Sequence, residues 1–590
     1  MAIATLIAEL KRRRVFRVIV GYGVVSFGLL QVVEPIMHAL HLPDSVLTYC
    51  VVGLAFGFPV AVVLAWAFDV NAGAIERTPA APGSFALRGP RLALVLVGIG
   101  LVAALPVVYL GVHGGAHPAS PADDEAFKAR LDAVPPGSQS RALPSIAVLP
   151  FVNLSSDKEQ EYFSDGLSEE LLNLLAQLPQ LRVIARTSSF SFKGKNVDLA
   201  TIAKALDVAS VLDGSVRKSG SKLRVTAQLI RAADSSHLWS QTYDRELTDV
   251  FKVQDEIASA VVAALKIKLL PTEHVANQRR TLNTEAYTQY LLGNQFRVRD
   301  TPEANQQAIA AYQKAVVLDP DYAAAFSGLA VAEWRLADQS TAESAGYQRA
   351  AVAADRAIAL APASPDGYWA RGALRHLYYF DWSGAQADFD KALKLDPNDV
   401  RTLASYGRLL ATLGRLPDAI AMTRKAISLD PLSADAWEWL SQYLLGSGQL
   451  AAAREAAKRV HDIKPEGADT GWAIELLADR PTATLAALPE YSRESALLAI
   501  TLAEHKLGHA AQSQKALDQL IKDNADTWAY QIAEVYAWRG EKDRAFDWLE
   551  RAYRQHDGGL TGLVRDPFLA SLRGDPRYTA LLKKMQLPLD

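Results

Sequence analysis

The sequence predicts a multidomain protein with an α-helical membrane module, an α/β domain built on a mixed sheet, and an all-α solenoid of repeated helix pairs. Three observations carry this prediction. Long uncharged runs are confined to residues 15–113, strand-like and helix-like segments alternate after residue 144, and prolines recur at nearly constant spacing after residue 283. With 590 residues and a formal net charge of -3, the chain is long enough for several domains and lacks the basic character of a nucleic-acid-binding protein.

Three apolar runs predict three transmembrane helices, at about residues 15–37, 47–68 and 92–112. About 20 apolar residues are enough to cross a hydrocarbon core of roughly 30 Å. The alternative is a module of two spans, in which the third run is a buried core helix. Gly53 and Gly57 form a GxxxG pattern in the second run, which fits close helix packing within the chain or homo-oligomerisation.

Lysine and arginine are distributed unevenly around these runs. The stretch "KRRRVFR" precedes or enters the first span and three arginines lie between the second and third spans, while the other two flanks contain neither residue type. Because such residues are enriched on the cytoplasmic side, residues 1–14 are predicted to be cytoplasmic. The odd number of spans then places residues 114–590 on the opposite side of the membrane.

The segment after the membrane module changes character twice. Residues 114–144 contain five prolines among small and charged residues and are predicted to form an extended linker. Residues 145–270 then show the order β-α-β-α-β-β-β-α, with "SIAVLPFVNLS" as the first strand, "FSDGLSEELLNLLAQL" as the first helix and "SGSK" as a hairpin turn. This order predicts a mixed sheet with helices packed against it.

The α/β segment resembles a known family. The blocks "IAVLPFVNLSSDKEQEYFSDGLSEELLNLL", "LRVIARTSSFSFKGKN", "VLDGSVRKSGSKLRVTAQLI" and "HLWSQTYDR" resemble the TolB amino-terminal-like domain of bacterial membrane-anchored proteins, some of which also carry tetratricopeptide (TPR) repeats. The resemblance implies a bacterial inner membrane, with residues 114–590 in the periplasm, and a domain without established catalysis. Proteins of this group are often labelled adenylate cyclase-like. Only about 14 residues precede the first span here, so no cyclase or DNA-binding function is carried over.

The prolines of the C-terminal half reveal a repeat. The intervals between Pro362, Pro397, Pro431 and Pro465 are 35, 34 and 34 residues, and a period of 34 residues is typical of TPR units. Within this period, Ala385, Ala419 and Ala453 recur where only a small side chain lets two helices approach closely. We therefore predict a TPR solenoid over residues 283–560, closed by a C-terminal cap over residues 561–590.

Stacked TPR units form a long concave groove, which in such proteins binds peptides or protein segments. Positions predicted to face this groove from the first helix of each unit are Trp334, Arg335, Tyr378, Arg401, Arg408, Glu438 and Gln442. The alternative for each residue is a solvated or packed position. Tyr379 and Trp439 are expected to belong to the core instead.

Sequence patterns of catalysis are absent from the chain. It contains no HExxH, CxxC, GxSxG or GxxxxGK[ST] pattern, so we predict no catalytic residue, cofactor or metal. The predicted function is a non-enzymatic, membrane-tethered periplasmic scaffold, which binds proteins or peptides through the TPR groove and the α/β domain. The alternative is a sensor that relays a periplasmic signal to a cytoplasmic partner enzyme or regulator.

Overall fold

A computed structural model describes residues 68–71, 74–77, 143–155, 157, 160–267, 281–339, 344–465, 470–488 and 492–589. They fall into two compact units, residues 1–120 and 121–590. The predicted spans at 15–37, 47–68 and 92–112 lie outside the described residues, except Phe68. Within the described ranges, no helix has both the length and the apolar character required to cross a bilayer.

In the first unit, strands β1 (Phe68–Asn71) and β2 (Ala74–Arg77) form an antiparallel hairpin in which Phe68 pairs with Arg77. This hairpin was not predicted from the sequence. Phe68, which the sequence analysis placed at the end of the second span, instead begins β1.

The α/β domain follows the predicted order closely. Its elements are β3 (Ser145–Val148), β4 (Val152–Asn153), α1 (Glu161–Ala176), β5 (Arg182–Val183), α2 (Arg186–Phe190), α3 (Leu199–Leu206), β6 (Ser210–Ser219), β7 (Lys222–Arg231), β8 (His237–Glu246) and α4 (Val250–Ala264). Two details differ from the prediction. The first predicted strand is divided into β3 and β4, and the short helix α2 follows the second predicted strand.

The sheet is mixed, as predicted. Its strand order is β5-β3-β6-β7-β8, with β4 also paired to β6. The pairs β3–β5 and β3–β6 are parallel, while β6–β7 and β7–β8 are antiparallel. Because successive side chains of a strand point to opposite faces, Ile146 and Val148 pack with α1 and α4 on one face, and Ala147 packs with α3 on the other.

Seventeen α-helices follow in the described residues after position 281. The helix pairs of the solenoid are α5 (Thr284–Arg297) and α6 (Pro302–Leu318), α7 (Ala323–Gln339) and α8 (Ser344–Leu360), α9 (Pro365–Leu374) and α10 (Trp382–Leu395), α11 (Val400–Thr412) and α12 (Leu416–Leu429), α13 (Ala434–Gly446) and α14 (Leu450–Ile463), α15 (Gly471–Leu477) and α16 (Pro481–Ala486), α17 (Arg493–Lys506) and α18 (Ala510–Asn524), and α19 (Ala529–Trp538) and α20 (Lys542–Gln555). Two 3₁₀ helices (Gly558–Gly562 and Pro567–Leu572) and α21 (Pro576–Lys584) complete the chain.

The small residues of the repeat explain how the two helices of each pair can pack closely together. Ala385, Ala419 and Ala453 are fully buried, each near the start of the second helix of its pair. A larger side chain at these positions would have to force the two helices apart.

A π-helical turn (Arg375–Tyr379) extends α9. Such a turn changes the helical phase of the residues that follow. Tyr379, expected in the core, is 45% exposed, so that expectation was wrong. The neighbouring Tyr378 remains half-buried.

The solenoid contributes to the packing of the α/β domain on both faces of the sheet. Tyr287 and Leu291 of α5 join the cluster around Ile146 and Val148. Leu432, which lies 141 positions after Leu291, joins the cluster around Ala147. The α/β domain and the solenoid therefore form a continuous structure rather than two independently packed domains.

Candidate functional site

The inner face of the solenoid is formed by the first helix of each pair, and the α/β domain lies against part of it. Helix α1 approaches α5 so closely that a Cβ on Gly166 would collide with the side chain of Leu291. Further along, the Ala185 amide donates to the Leu429 carbonyl at 2.8 Å, and the Arg182 guanidinium donates to the Ser428 carbonyl at 3.1 Å. These last contacts reach the C-terminal end of α12, the second helix of its pair.

The opposite ends of the inner helices meet residues 556–589, here called the C-terminal segment. The Trp382 indole N–H donates to the Met585 carbonyl at 2.7 Å. A Cβ on Gly414 would lie 3.0 Å from Val564, and one on Gly446 would lie 2.9 Å from the Arg565 carbonyl. The segment assigned from sequence as a cap therefore runs alongside the turns of the three central repeats, in addition to following the last helix pair.

The inner face between these two boundaries is called the inner groove, and its central residues are Arg335, Tyr378, Arg408, Trp439 and Gln442. They come from α7, the turn after α9, α11 and α13. All five are half-buried, so part of each side chain reaches solvent. The fold therefore brings four of the seven predicted groove residues into one region. Trp439, expected in the core, packs against the solenoid core with part of its side chain and lies in the same region.

Two other predicted groove residues have structural roles. Trp334 is 9% exposed and belongs to the main core of the solenoid, so the packed alternative holds for it. Arg401 pairs with Asp366 at 2.6 Å and Asp399 at 3.1 Å, and its guanidinium lies 4.7 Å from the centre of the Trp369 ring. Arg401 thus joins consecutive repeats, and its charge is already balanced by two carboxylates.

Glu438, the last predicted residue, lies at the border of the inner groove. It accepts a hydrogen bond from the Thr470 hydroxyl and a long one, at 3.4 Å, from the Gln442 amide. The Gln442 carbonyl in turn accepts from Arg565 at 3.5 Å. This polar chain connects α13 to both the following repeat and the C-terminal segment.

An aromatic stack lies at the other end of the groove. The Tyr378 ring stacks on Tyr347 with centroids 3.6 Å apart and an angle of 12° between the planes. Its other neighbours are His556, with centroids 5.4 Å apart, and Tyr379 in an edge contact at 5.0 Å. The stack fixes the start of the C-terminal segment against the π-helical turn.

Arg408 occupies the centre of the groove. Its guanidinium lies 4.2 Å from the centre of the Trp439 ring, a distance at which a cation is attracted to the face of an indole. Burial lowers the pKa of Arg408, and the charges of Arg565 and Arg335 lower it further, while Tyr443 and Asp338 raise it. Arg408 thus lies near two other arginines, Arg335 and Arg565, and near the carboxylate of Asp338.

One histidine of the solenoid, His376, lies close enough to Arg408 for that charge to act on it. His376 is buried and lies 3.0 Å from the Thr412 hydroxyl. Burial, with the charges of Arg408 and Arg565, holds the pKa of His376 well below its ordinary value. Among the described residues, no three His, Cys, Asp or Glu side chains are grouped as metal ligands would be.

Sequence reasoning missed several residues that complete the groove. Arg565 was assigned to a terminal cap, and Asp338, Tyr347 and His556 were not considered. The available signal was weak, because the repeat period identifies inner positions within one unit but does not show which distant segment faces them.

Family models match two parts of the chain. The model described as "HilA/YgeH-like transcriptional regulator, second domain" matches residues 141–260. A tetratricopeptide repeat model matches residues 372–431, 407–468 and 501–559. The chain contains TPR repeats, which confirms the prediction for this part of the solenoid.

Known proteins are similar over limited stretches. Over 213 residues the chain is 38% identical to "Putative adenylate cyclase 3" of Rhizobium meliloti (strain 1021). The matched stretch covers 36% of this chain and 36% of the relative. Over 96 residues it is 33% identical to "Protein CTR9 homolog" of Arabidopsis thaliana, covering 16% of this chain and 9% of the relative. The chain thus spans about a third or less of the length of these relatives. The solved structure of YrrB, described as a TPR protein with an unusual peptide-binding site, is 20% identical to this chain. The match covers 32% of this chain and 91% of that chain, with a TM-score of 0.23.

Proposed function

We propose that the protein is a non-enzymatic scaffold that binds partner proteins in the inner groove. The observation that carries this proposal is the set of half-buried donors and aromatic rings at Arg335, Arg408, Trp439 and Gln442. TPR units create binding surfaces of this kind by stacking, and here the surface is bounded by the α/β domain on one side and the C-terminal segment on the other.

The α/β domain is proposed to act as a second docking surface of TolB amino-terminal-like type. The sequence blocks quoted above support this assignment. Its contacts with Leu291 and Leu429 hold it in a fixed position, so a partner could engage both surfaces at once. The family model matched over residues 141–260 describes the second domain of transcriptional regulators, and no DNA-binding function is proposed from it.

Site-specific photo-cross-linking tests groove binding directly. A photoreactive phenylalanine replaces Trp439 in the inner groove, or Arg424 on the exposed side of α12 as the matched control. The full chain is irradiated in its native cells, and products are identified by mass spectrometry. Cross-links to a defined protein from position 439 but not from 424 are expected. Equal products from the two positions, or none from position 439, would contradict groove binding.

The membrane-tethered, periplasmic location is part of the same proposal. It is supported by the apolar runs in residues 15–113 and by the uneven distribution of lysine and arginine around them. Alkaline phosphatase fused after residue 115 should be active, and a cytoplasmic reporter at the same position should be inactive. The reverse pattern would place the groove in the cytoplasm.

A signalling role is the second candidate, and the similarity to the Rhizobium meliloti protein is the observation that favours it. In this alternative, the periplasmic part responds to a ligand and the membrane module transmits the response to a cytoplasmic enzyme or regulator. Co-purification from membranes separates the two roles. A cytoplasmic enzyme or regulator among stable partners would favour signalling, and exclusively periplasmic or envelope partners would favour scaffolding.

A further inference from the structure

The two ends of the α/β sheet differ in how they are protected. At one end, β5 is only two residues long, and the Ala185 amide that follows it donates to the Leu429 carbonyl of the solenoid at 2.8 Å. At the other end, β8 (His237–Glu246) is 10 residues long, and in the described ranges β7 is the one strand that pairs with it. In this part of the chain, the sheet therefore has one long open edge.

The hydrogen bonds at the end of β8 show which backbone groups this edge presents. The Leu247 amide, directly after the strand, donates to the Ser221 carbonyl beside β7 at 2.6 Å. Residues of an antiparallel strand direct their N–H and C=O groups to alternate sides, so the odd-numbered residues from Trp239 onward bond to β7. The outward-directed N–H and C=O groups belong to the even-numbered residues, which are Ser240, Thr242, Asp244 and Glu246.

β8 lacks most of the features that keep natural edge strands from pairing. Such strands are commonly short, interrupted by proline or distorted by a bulge. β8 contains no proline, and its register shift with β7 lies at Leu229 and Ile230, opposite its first residues. From residue 239 to residue 246 the register is unbroken, and all side chains except Trp239 and Tyr243 are exposed. This stretch can therefore accept a further strand.

The charges of this regular stretch are confined to one end. Asp244, Arg245 and Glu246 occupy its last three positions, whereas residues 239–243 carry no charge. Like charges that lie directly opposite each other destabilise a strand pair. A second β8 in antiparallel orientation places each charged end beside an uncharged end, so the strand is complementary to itself.

We propose that two copies of the chain associate by antiparallel pairing of their β8 strands, centred on Thr242. In this register Thr242 lies opposite its own counterpart, and Ser240 lies opposite Asp244 of the second copy. Arg245 lies opposite Trp239 of the second copy, and cations are attracted to the face of an indole. The two sheets then form one continuous sheet through a symmetric contact. This inference goes beyond the proposed function and does not depend on it.

Cysteine cross-linking tests both the pairing and its register. The chain has a single cysteine, Cys50, which is replaced by serine before Thr242→Cys is introduced into the full chain. Directly opposite residues that exchange backbone hydrogen bonds have Cα atoms about 5.5 Å apart, a distance that a disulfide can span. Mild oxidation should therefore produce a disulfide-linked dimer.

Ser240→Cys is the matched control on the same edge. In the proposed register, position 240 is displaced along the strand by about 14 Å from position 240 of the second copy, which is too far for a disulfide. Oxidation should therefore leave this variant monomeric on denaturing gels. Equal or stronger linkage through position 240, or no linkage through position 242, would overturn the proposal.

The oligomeric state provides a second test. Light scattering of the purified full chain in mild detergent should give the mass of two chains. Thr242→Pro should give the mass of one chain, because proline removes an outward-directed N–H and leaves the hydrogen bonds to β7 in place. Thr242→Ala keeps that N–H and should remain a dimer.

Two results of this measurement would contradict pairing at β8. One is a parent chain with the mass of a single copy. The other is a Thr242→Pro variant that keeps the mass of two copies, which would place the contact elsewhere, for example at Gly53 and Gly57. If Thr242→Pro loses the circular dichroism of the folded chain, the comparison of Thr242→Cys with Ser240→Cys decides.

Discussion

Ser188 of the α/β domain donates two hydrogen bonds to Asp430 of the solenoid. The backbone N–H of Ser188 lies 3.0 Å from Asp430 Oδ1, and its hydroxyl donates to the same oxygen. The Ser188 hydroxyl also accepts from the Leu432 amide at 2.9 Å. Both side chains are buried, so one serine and one aspartate connect parts of the chain that lie 242 residues apart.

This relationship predicts a pH-dependent contact. Burial raises the pKa of Asp430 to about 6, although hydrogen bonds from Ser188 oppose the shift. A carboxyl whose folded pKa exceeds its unfolded value contributes stability that is complete below the unfolded pKa, near 3.8, and is lost as pH rises through about 6. Protection of the Leu432 amide against hydrogen exchange, corrected for the intrinsic rate, should therefore fall across this window.

The control for the Asp430 effect is Asp430→Asn, which retains an acceptor oxygen but cannot ionise. Its Leu432 protection should not vary between about pH 4 and pH 6 beyond the intrinsic exchange rate. A variant with the same pH dependence as the parent chain would assign the effect to another group.

Gly214 in β6 is predicted to tolerate no side chain. A Cβ at this position would collide with the Thr226 carbonyl oxygen of β7 and with the Phe151 ring, and a paired backbone oxygen cannot move aside cheaply. Gly214→Ala should lower the opening free energy of the β6–β7 amides by about 1–3 kcal/mol, as measured by native-state hydrogen exchange. Gly574→Ala, where a Cβ meets nothing within 4 Å, should leave these amides unchanged.

Asp388 is predicted to contribute far more to the stability of its repeat than Asp355, which pairs with the same arginine. Asp388 is 3% exposed and accepts from Arg371 at 2.7 Å and 3.0 Å and from Arg375 at 2.8 Å. Asp388→Ala would leave both guanidinium groups without this partner, and it should destabilise the repeat by about 3–5 kcal/mol. Thermal unfolding followed by circular dichroism measures the effect.

Asp355→Ala is the matched control, since Asp355 also pairs with Arg371, at 2.8 Å, but has a side chain that is 61% exposed. Its loss should cost no more than about 1 kcal/mol. Similar losses of stability from Asp388→Ala and Asp355→Ala would show that burial of the carboxylate does not determine how much each ion pair contributes.

The hydroxyl of Tyr312 is expected to stabilise the first repeats. It donates to the Asn294 side-chain oxygen at 2.6 Å inside the solenoid, and both residues are buried. Tyr312→Phe should destabilise the α5–α6 pair by about 1–3 kcal/mol, because a buried acceptor loses a partner. Hydrogen exchange of α5 amides measures the change, and the exposed Tyr379→Phe should have no effect there. Equal protection in both variants would contradict the assigned role.

The sequence predicted local structure much better than contacts between domains. The β-α order of residues 145–264 and the helix pairs around Ala385, Ala419 and Ala453 follow from periodicity, which depends on neighbours within a few residues. The contacts of Leu291 and Leu432 with opposite faces of the sheet have no such signal, because both residues resemble ordinary core positions of a repeat.

The same limit applies to the inner groove. The repeat period placed Arg335, Arg408 and Gln442 on the first helix of their pairs, and the structure has them there. Trp334 was misassigned, since the period does not distinguish a groove position from a packed one. Arg565 could not be found, because its relation to α13 depends on the path of the C-terminal segment, residues 556–589, across the central repeats.

The two attachments of the solenoid to the α/β domain have a consequence for how this protein can change in evolution. A free TPR array can gain or lose a unit by duplication or deletion, because each unit contacts only its neighbours. Here the stretch between Leu291 and Asp430 begins and ends on the same domain. If a unit were duplicated within this stretch, Leu291 and Asp430 could no longer both contact the α/β domain. The number of repeats in this stretch is therefore fixed by the size of the α/β domain.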